Sequence, residues 1–389
     1  MRARLLLAAP ITALLALGVL PAQAKPAPVG NYIVVLRAGA SSPTAAAAQA
    51  RALGGAVQHV YTNALRGFSA ALPTAAVRSL RASSAVAYIE RDQVVRANGS
   101  QSGATWGLDR TDQRNRPLNG VYNYTATGSG VTAYIIDTGI RFSHSDFGGR
   151  AVSGVDEVDG GAADDCNGHG THVSGTVGGA TYGIAKSVKL VAVRVLDCSG
   201  SGATSGVIAG VDWVTANHAA GAPAVANMSL GGGASTALDS AVANSIADGV
   251  SYAIAAGNGN VIGRPQNACN VSPARVATAM TIGATDNTDK AASFSNFGPC
   301  VDWFAPGVNI TSDWYASDTA TNTISGTSMA TPHTAGVAAL YLQGSPSASP
   351  QTVRNALYAL TTKGIVTGTS AGPLGRGGTA NHHLLYSNL

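Results

Sequence analysis

Short apolar runs alternate with stretches of helical periodicity over most of the chain. Most of the runs end in Gly, Asn or Asp, and they are typical of strands; they occupy 130–139, 189–198, 224–233, 249–258, 279–286 and 301–307. Helical patterns at 170–179, 204–218 and 235–249 lie between several of them. Continuous apolar strands that alternate with helices predict an α/β fold, with a mostly parallel central sheet and helices on both faces. In such sheets, sites form beyond the carboxyl ends of strands, where Asp137 and Asn258 fall.

The front of the chain has a different pattern. Residues 31–96 predict a strand, an Ala-rich helix ended by Gly, a strand pair, a second helix and a final strand. This order predicts a small α+β unit of the ferredoxin-like kind. The polar stretch RANGSQSGAT, residues 96–105, follows it and has the composition of an exposed, cleavable linker.

The N-terminus has the pattern of a targeting segment. Arg2 and Arg4 precede an apolar run, and the AQA of residues 22–24 fits a small-residue cleavage site, which is typical of a secretory signal peptide. A membrane anchor is the alternative, but the apolar run is short and a Pro interrupts it. No later run of about 18 or more apolar residues would cross a membrane. We therefore expect a secreted, extracellular protein.

Charge divides the chain in two. Residues 1–101 contain ten Lys/Arg and two Asp/Glu, whereas residues 102–389 contain fourteen and eighteen. The net charge of +4 therefore comes from the front segment, and it is no argument for nucleic-acid binding by the main domain. The opposite charges fit a front segment that docks on the rest.

The cysteines have the pattern of an exported protein. Four of them allow three disulfide connectivities, and none forms a C-x-x-C metal pattern. Export makes bridges possible, and free buried thiols are the less favoured alternative. The four are Cys166, Cys198, Cys269 and Cys300.

The segment ISGTSMATPHTAG, residues 324–336, contains the candidate nucleophile. Thr327 and Ser328 lie ahead of a predicted helix and could simply cap it. Pro332 fits the first turn of this helix, where its missing N–H costs nothing. If Ser328 is a nucleophile, it needs a base and an acid that orients the base. The last acid in the chain is Asp318, so both must lie upstream, which excludes the Ser–Asp–His order of the α/β-hydrolases.

Two upstream segments offer that acid and base. Asp137 closes the strand YIID, and His169 opens a predicted helix in NGHGTH. His169 and His172 could also suggest a metal site, but no H-E-x-x-H pattern or evident third ligand accompanies them, and we interpret His172 as structural. A G-x-S-x-G match at 368–372 follows no strand and precedes no acid, so an esterase is disfavoured.

Five motifs resemble, in order, those of the subtilisin superfamily of serine endopeptidases: IIDTG, NGHGTHVSGT, NMSLGGG, AAGN and SGTSMATPH. Four further segments are more similar to the proteinase K branch and, within it, to aqualysin-like bacterial enzymes: WGLDRTDQR, VLDCSGSG, SGVIAGVDWV and SFSNFGPCVDWFAPG. The match covers 106–389, and 31–96 resemble the inhibitory propeptide of the family. With the N-terminal pattern, this implies a signal peptide over 1–24, a propeptide over 25–101 that ends somewhere within 97–105, and a peptidase domain over 102–389.

The resemblance implies a role for each candidate site residue. Ser328 would attack the peptide carbonyl, His169 would take and return the proton, and Asp137 would hold the imidazole. The Asn258 amide would form the oxyanion hole with the Ser328 backbone N–H, although N-G is also a turn signal.

The resemblance also implies two substrate-binding edges that hold a peptide by backbone hydrogen bonds. They are Gly200-Ser201-Gly202 and Ser229-Leu230-Gly231. The second edge, together with Ala255, Ala256 and Gly257, would wall the primary specificity pocket. Small, uncharged walls predict broad specificity with a preference for apolar or aromatic residues. Strand-end turns are the alternative interpretation of these Gly runs.

In this branch of the family, disulfides would link Cys166 to Cys198 and Cys269 to Cys300. Structural calcium is implied at two places, although ordinary surface acids are the alternative. One set is Asp302 with the carbonyls of Ala277 and Ala279; the other is Asp109, Asp112 and Gln113, near the mature N-terminus. The chemistry itself would need no cofactor.

The predicted function is therefore that of a secreted, self-processing serine endopeptidase that cleaves proteins and peptides. We expect a monomer that has its own propeptide as chaperone and inhibitor, without nucleic-acid or membrane partners. An inactive subtilase fold that only binds other proteins is the alternative. It is disfavoured because all three triad positions and Asn258 are filled.

Overall fold

The computed structural model describes residues 29–92, 99–260, 264–369, 379 and 381–389. The predicted signal peptide, part of the predicted linker and Ser370 of the G-x-S-x-G match lie outside these ranges. The described chain divides into two compact units, 1–96 and 97–389. No helix among the described residues is long and apolar enough to span a membrane.

The first unit is a four-stranded antiparallel sheet with two helices. Its elements are β1 (Val29–Leu36), α1 (Pro43–Ala52), β2 (Ala56–Tyr61), β3 (Gly67–Pro73), α2 (Thr74–Arg81) and β4 (Val86–Arg91). The strand order is β2-β3-β1-β4. The Ser42 hydroxyl accepts a hydrogen bond from the Ala45 N–H (3.2 Å) and so caps α1. The predicted ferredoxin-like α+β order is confirmed.

The second unit is built on a seven-stranded sheet. Its strands are β5 (Gly99–Ser102), β6 (Val121–Tyr124), β7 (Thr132–Asp137), β8 (Ala151–Asp156), β9 (Lys189–Arg194), β10 (Ala224–Met228), β11 (Gly232–Gly233), β12 (Ser251–Ala255), β13 (Val271–Ser272), β14 (Met280–Thr285), β15 (Trp303–Pro306), β16 (Ile310–Asp313) and β17 (Thr321–Ile324). The central order is β15-β14-β12-β10-β7-β9-β8, with every pair parallel. Three two-stranded antiparallel sheets, β5-β6, β11-β13 and β16-β17, complete it.

Helices cover both faces of this sheet, as the sequence predicted. The α-helices of the unit are α3 (Trp106–Thr111), α4 (His169–Gly178), α5 (Thr204–Asn217), α6 (Thr236–Asp248), α7 (Thr327–Gly344) and α8 (Pro350–Leu360). Side chains of β7 alternate between two buried clusters. Ala133 and Ile135 pack with residues of α4 and α7, and Tyr134 and Ile136 pack with residues of α5 and α6.

Candidate active site

Asp137 is the last residue of β7 and is completely buried. Its Oδ1 accepts a hydrogen bond from the Thr138 N–H (2.8 Å) and lies 2.7 Å from Nδ1 of His169. Asp137 Oδ2 is buried without a hydrogen-bond partner in the structure. A carboxylate in this position favours the tautomer with the proton on Nδ1, which leaves Nε2 free to accept a proton.

His169 is the first residue of α4, and glycines on both sides let the backbone approach its neighbours closely. A Cβ on Gly170 would lie 2.1 Å from the carbonyl oxygen of Gly139. Gly168 has a φ of 110°, and a Cβ there would lie 2.5 Å from the ring of Trp314. Only glycine fits either position, so the local sequence places the imidazole beside the end of β7.

Four effects set the protonation of His169. Burial lowers the pKa of the imidazole because it disfavours the charged form. The charge of Asp137, its hydrogen bond and the charge of Asp165 oppose burial and together raise the pKa above its ordinary value. His172 behaves differently: burial lowers its pKa to about 4, and its Nε2 donates to the Ile310 carbonyl (3.0 Å). His172 is therefore a neutral, structural histidine.

Ser328 is the second residue of α7 and exchanges hydrogen bonds with Ser229. The Ser328 hydroxyl donates to the Ser229 carbonyl (3.0 Å), and the Ser229 hydroxyl donates to the Ser328 carbonyl (2.9 Å). Pro332 lies in the second turn of α7, one turn further in than the sequence predicted. Because Pro332 has no N–H, it cannot bond the carbonyl four residues earlier, which is that of Ser328. The Ser229 hydroxyl takes the place of that missing donor.

Asn258 is tied to the start of α7 through its carbonyl oxygen. Oδ1 accepts hydrogen bonds from both the backbone N–H and the hydroxyl of Thr327, each at 2.8 Å. The Thr327 hydroxyl also accepts from the Gly257 N–H (3.1 Å). With Oδ1 occupied, the Nδ2 amide group remains as the donor that can point into the cleft. Thr327 is thus the anchor of the Asn258 side chain.

Two adjoining cavities lie along the Ser229–Gly233 edge. The first, of about 490 Å³, is lined by this edge, His169 and the loop at 199–202. The second, of about 520 Å³, is lined by the same edge with Asn258 and Ser328. The shared edge therefore connects the surroundings of His169 with those of Ser328.

Ala256, which the resemblance places in the pocket wall, has its side chain elsewhere. Ala255 and Gly257 line the second cavity. Ala256 is fully buried and packs in the core cluster that contains Tyr252 and Ile254. The reason is the alternation of an extended chain, which sends neighbouring side chains to opposite sides.

Both disulfides implied by the resemblance are present. Cys166–Cys198 has a Cα–Cα distance of 4.9 Å and Cys269–Cys300 one of 5.4 Å. The first joins the loop before His169 to the loop that lines the first cavity. Asn167 strengthens this link by donating to the Cys198 carbonyl (3.0 Å).

The first set of residues implied for calcium does not fit a metal ion. Asp302 accepts a hydrogen bond from the Thr281 N–H (2.8 Å) through one oxygen and binds the Arg354 guanidinium through the other. Burial raises the pKa of Asp302, although the charge of Arg354 opposes this. The guanidinium already neutralises this carboxylate, so Asp302 with the carbonyls of Ala277 and Ala279 does not offer a free cation site.

The second set fits a hard cation better. Asp109 Oδ2 accepts from the Gly120 N–H (2.6 Å), and the Gln113 amide contacts the other oxygen. Asp112 Oδ2 accepts from the Asn123 N–H (2.8 Å), but its Oδ1 is buried without a partner. Burial raises the pKa of Asp112 and the charge of Asp109 adds to it, against the bonds from Asn123. Across the described ranges, no group of three or more His, Cys, Asp or Glu side chains is arranged to hold a metal.

A carboxyl pair, formed by the buried Asp313 and the half-buried Asp146, was missed by the sequence analysis. Asp313 is fully buried at the end of β16, and neither of its oxygens accepts a hydrogen bond. A Cβ on Gly179 would lie 2.2 Å from Asp146 Oδ2 and 3.1 Å from Asp313 Oδ2, so the two carboxyls are neighbours. Burial, and then the proximity of the Asp146 carboxyl, raise the pKa of Asp313 to about 8, against the charge of Arg150. No local sequence pattern links Asp313 with Asp146, because the two residues lie on separate elements of the chain.

Comparison with known proteins decides the family. The model of the subtilase family matches residues 128–377. The chain belongs to the subtilase family. The peptidase inhibitor I9 family matches residues 31–98 of this subtilase, which overlap the first unit. The resemblance recognised in the sequence is thereby confirmed.

Individual relatives agree with this assignment. An extracellular serine proteinase of Thermus sp. (strain Rt41A) is 60% identical over 314 residues, which are 80% of this subtilase and 75% of the relative. An alkaline serine exoprotease A of Vibrio alginolyticus is 56% identical over 80% of the chain, and the match spans 58% of that relative. The crystal structure of a cold adapted subtilisin-like serine proteinase is 56% identical, with a TM-score of 0.68 over 74% of this subtilase and 100% of that chain.

Proposed function

We propose that Asp137, His169 and Ser328 form the catalytic triad of this subtilase. The observation that carries the proposal is the 2.7 Å contact between Asp137 Oδ1 and His169 Nδ1 at the carboxyl end of the central sheet. Ser328 lies at the start of α7, and its surroundings share an edge with those of His169.

The reaction follows from these positions. The Ser328 hydroxyl turns from the Ser229 carbonyl to His169 and attacks the peptide carbonyl while Nε2 takes its proton. The charge of Asp137 stabilises the imidazolium, which then protonates the leaving amine. Water, deprotonated by His169, releases the acyl group from Ser328 by the reverse steps.

The negative charge that develops on the substrate oxygen would be stabilised at the start of α7. Asn258 Nδ2 and the Ser328 backbone N–H are the donors, and the helix dipole adds a positive potential there. Asn258 is held by two bonds from Thr327 before substrate arrives. This prior ordering avoids a reorganisation cost during the reaction.

A peptide substrate would run along two edges, Gly200–Gly202 and Ser229–Gly231. The second cavity, of about 520 Å³, would take the side chain that precedes the cleaved bond. Its walls, Ala255 and Gly257, are small and uncharged. These features support broad specificity with a preference for apolar and aromatic residues.

The I9 match supports a zymogen whose front unit acts as inhibitor and chaperone, and the name of the Thermus relative supports an extracellular location. We place the end of the propeptide before Gly99 rather than at residue 101. The reason is that Gly99–Ser102 pairs with Val121–Tyr124 and belongs to the second unit. Gln101 strengthens this attachment by bonding Thr181 (2.9 Å) and Lys186 (2.6 Å).

Calcium would be held by Asp109, Asp112 and Gln113 and would neutralise two adjacent carboxylates near the N-terminal strand of the second unit. A chelator should lower the melting temperature of the mature protein, and Asp112→Asn should remove that response. An equal response in Asp112→Asn would place the ion elsewhere.

Expression of the chain beside a Ser328→Ala variant tests the central proposal. The wild type should process itself and hydrolyse casein, whereas the variant should remain at precursor size without activity. A variant that still processes and cleaves casein would show that Ser328 is not the nucleophile. A folded but inactive wild type would favour the binding-protein alternative.

A further inference from the structure

Asp165 lies four residues before His169 and is not part of the proposed triad. Its two oxygens accept five hydrogen bonds. Oδ1 accepts from the Thr138 hydroxyl and the backbone N–H groups of Asn167 and Gly168, each at 2.9 Å. Oδ2 accepts from the N–H (2.8 Å) and hydroxyl (2.6 Å) of Thr171. This carboxylate is therefore hydrogen-bonded to the chain on both sides of His169.

The same network reaches the end of β7. Thr138 directly follows Asp137, and its hydroxyl donates to Asp165 while it accepts from the Gly170 N–H (2.9 Å). The strand that carries the acid and the helix that carries the base are thus joined through one carboxylate and one hydroxyl. We call the Asp165 carboxylate and the Thr138 hydroxyl, with the hydrogen bonds between them and to α4, the joint. The relative position of the Asp137 and His169 side chains depends on it.

We propose that Asp165 is a positioning residue for His169. It holds the first turn of α4 against the end of β7 so that Nδ1 faces the Asp137 carboxylate. This inference rests on the proposed role of His169 as the base.

Asp165 also acts on the ring by its charge. Three titratable groups influence or adjoin His169: Asp137 on β7, Asp165 in the preceding loop and His172 one turn further along α4. The charge of Asp165 raises the pKa of His169, because a nearby anion favours the imidazolium. A residue that only held the loop in place through neutral hydrogen bonds would not raise the pKa of His169.

Substitution Asp165→Asn separates the two interpretations. The acidic limb of the pH profile of kcat/KM reflects loss of the His169 proton. Removing the Asp165 charge should lower the pKa of His169 and so move this limb to lower pH. An amide N–H would also face the Thr171 N–H, which disturbs the joint. We expect kcat to fall by about 10- to 100-fold with little change in KM.

Asp164→Asn is the matched control, because Asp164 is an exposed carboxyl at the adjacent position. It should leave both the acidic limb and kcat close to those of the wild type. A second variant, Thr138→Val, keeps the Asp165 charge but breaks the joint. It should lower kcat. The acidic limb of the kcat/KM profile should stay close to that of the wild type, because the Asp165 charge is retained.

The measurements use the mature protein and a chromogenic peptide ending in Phe, with melting temperatures recorded in parallel. An unchanged limb in Asp165→Asn, or an unchanged kcat in Thr138→Val, would overturn the proposal. If Asp165→Asn does not fold, Thr138→Val alone decides whether the joint positions the base. An inactive wild type, or an active Ser328→Ala, would instead show that the proposed function is wrong.

Discussion

Carboxylates lie near both ends of α4, in opposite circumstances. At the amino end, Asp165 accepts five hydrogen bonds and Asp137 is bound to His169 and the Thr138 N–H. At the carboxyl end, Asp313 is buried beside Asp146 and neither of its oxygens accepts a hydrogen bond. Asp165 therefore has several hydrogen-bond donors, whereas Asp313 has none.

The helix itself explains part of this difference. The unpaired N–H groups at its start favour negative charge, whereas the unpaired carbonyls at its end disfavour it. Arg150 offsets part of the negative potential at the carboxyl end by donating to the backbone carbonyls of Gly178 and Asp146. A proton on Asp313 reduces the remaining excess of negative charge at this end, in agreement with the raised pKa of Asp313. Burial alone does not decide the state of a carboxyl group; its donors do.

The largest expected effect comes from removing the charge at the amino end. Asp137→Asn should lower kcat by about 10⁴-fold, the figure for the corresponding change in a chymotrypsin-like protease, because the amide favours the wrong tautomer of His169. Steady-state kinetics on a chromogenic peptide would measure it. Asp212→Asn, at an exposed position of α5, is the control and should change little. A loss below about tenfold would mean that Asp137 does not orient the base.

At the carboxyl end, the effect should be on stability and should depend on pH. Between about pH 4 and 8 the native state retains the Asp313 proton and the unfolded chain does not. The unfolding free energy of the wild type therefore falls as pH rises through this window, by up to about 5 kcal/mol, and the loss is complete above about pH 8. Asp313→Asn lacks this loss, so its stability relative to the wild type should rise from pH 4 to pH 9.

Urea unfolding of protein inactivated by sulfonylation of Ser328 would measure this difference without self-digestion. Asp212→Asn again serves as control, with a pH dependence parallel to that of the wild type. Parallel curves for Asp313→Asn would show that Asp313 is ionised in the native protein, and the contrast between the two helix ends would fail.

A smaller effect should come from the contact between α4 and the buried pair. A Cβ on Gly175 would lie 2.3 Å from Ser312 Oγ and 2.6 Å from Asp313 Oδ2. Gly175→Ala should therefore destabilise the protein by about 1–3 kcal/mol, although alanine is the better helix former. Gly206→Ala on α5 is the matched control, since its Cβ would meet nothing nearer than 3.8 Å. A gain in stability of about 0.5–1 kcal/mol is expected there, and a similar gain at Gly175 would refute the close contact.

How much the sequence predicted follows from the range of each interaction. The fold and the positions of Asp137 and His169 could be predicted because apolar periodicity is local and because the chain after Asp318 contains no acid. Pro332 was placed one turn too early, since helix starts vary by a residue or two. Local pattern was sufficient to place Asp137 at the end of a strand and His169 at the start of a helix.

Interactions between distant segments escaped the sequence. Asp313 lies on β16 and Asp146 in the short 3₁₀ helix Ser145–Phe147, and no local pattern brings them together. The pairing of Asp302 with Arg354 likewise depends on how α8 packs on the sheet, so the calcium prediction for Asp302 could not take it into account. These are the places where charge balance is decided by packing rather than by motif.

The reciprocal bonds between Ser229 and Ser328 have a consequence for engineering. Ser328, the proposed nucleophile, and Ser229, on the proposed substrate edge, share one structural constraint, because the Ser328 carbonyl that Pro332 cannot bond accepts from the Ser229 hydroxyl. Libraries that vary residue 229 to retune selectivity would also shift the geometry of the reacting hydroxyl. Selectivity and turnover are thus linked traits at this position, and variants chosen for one should be screened for the other.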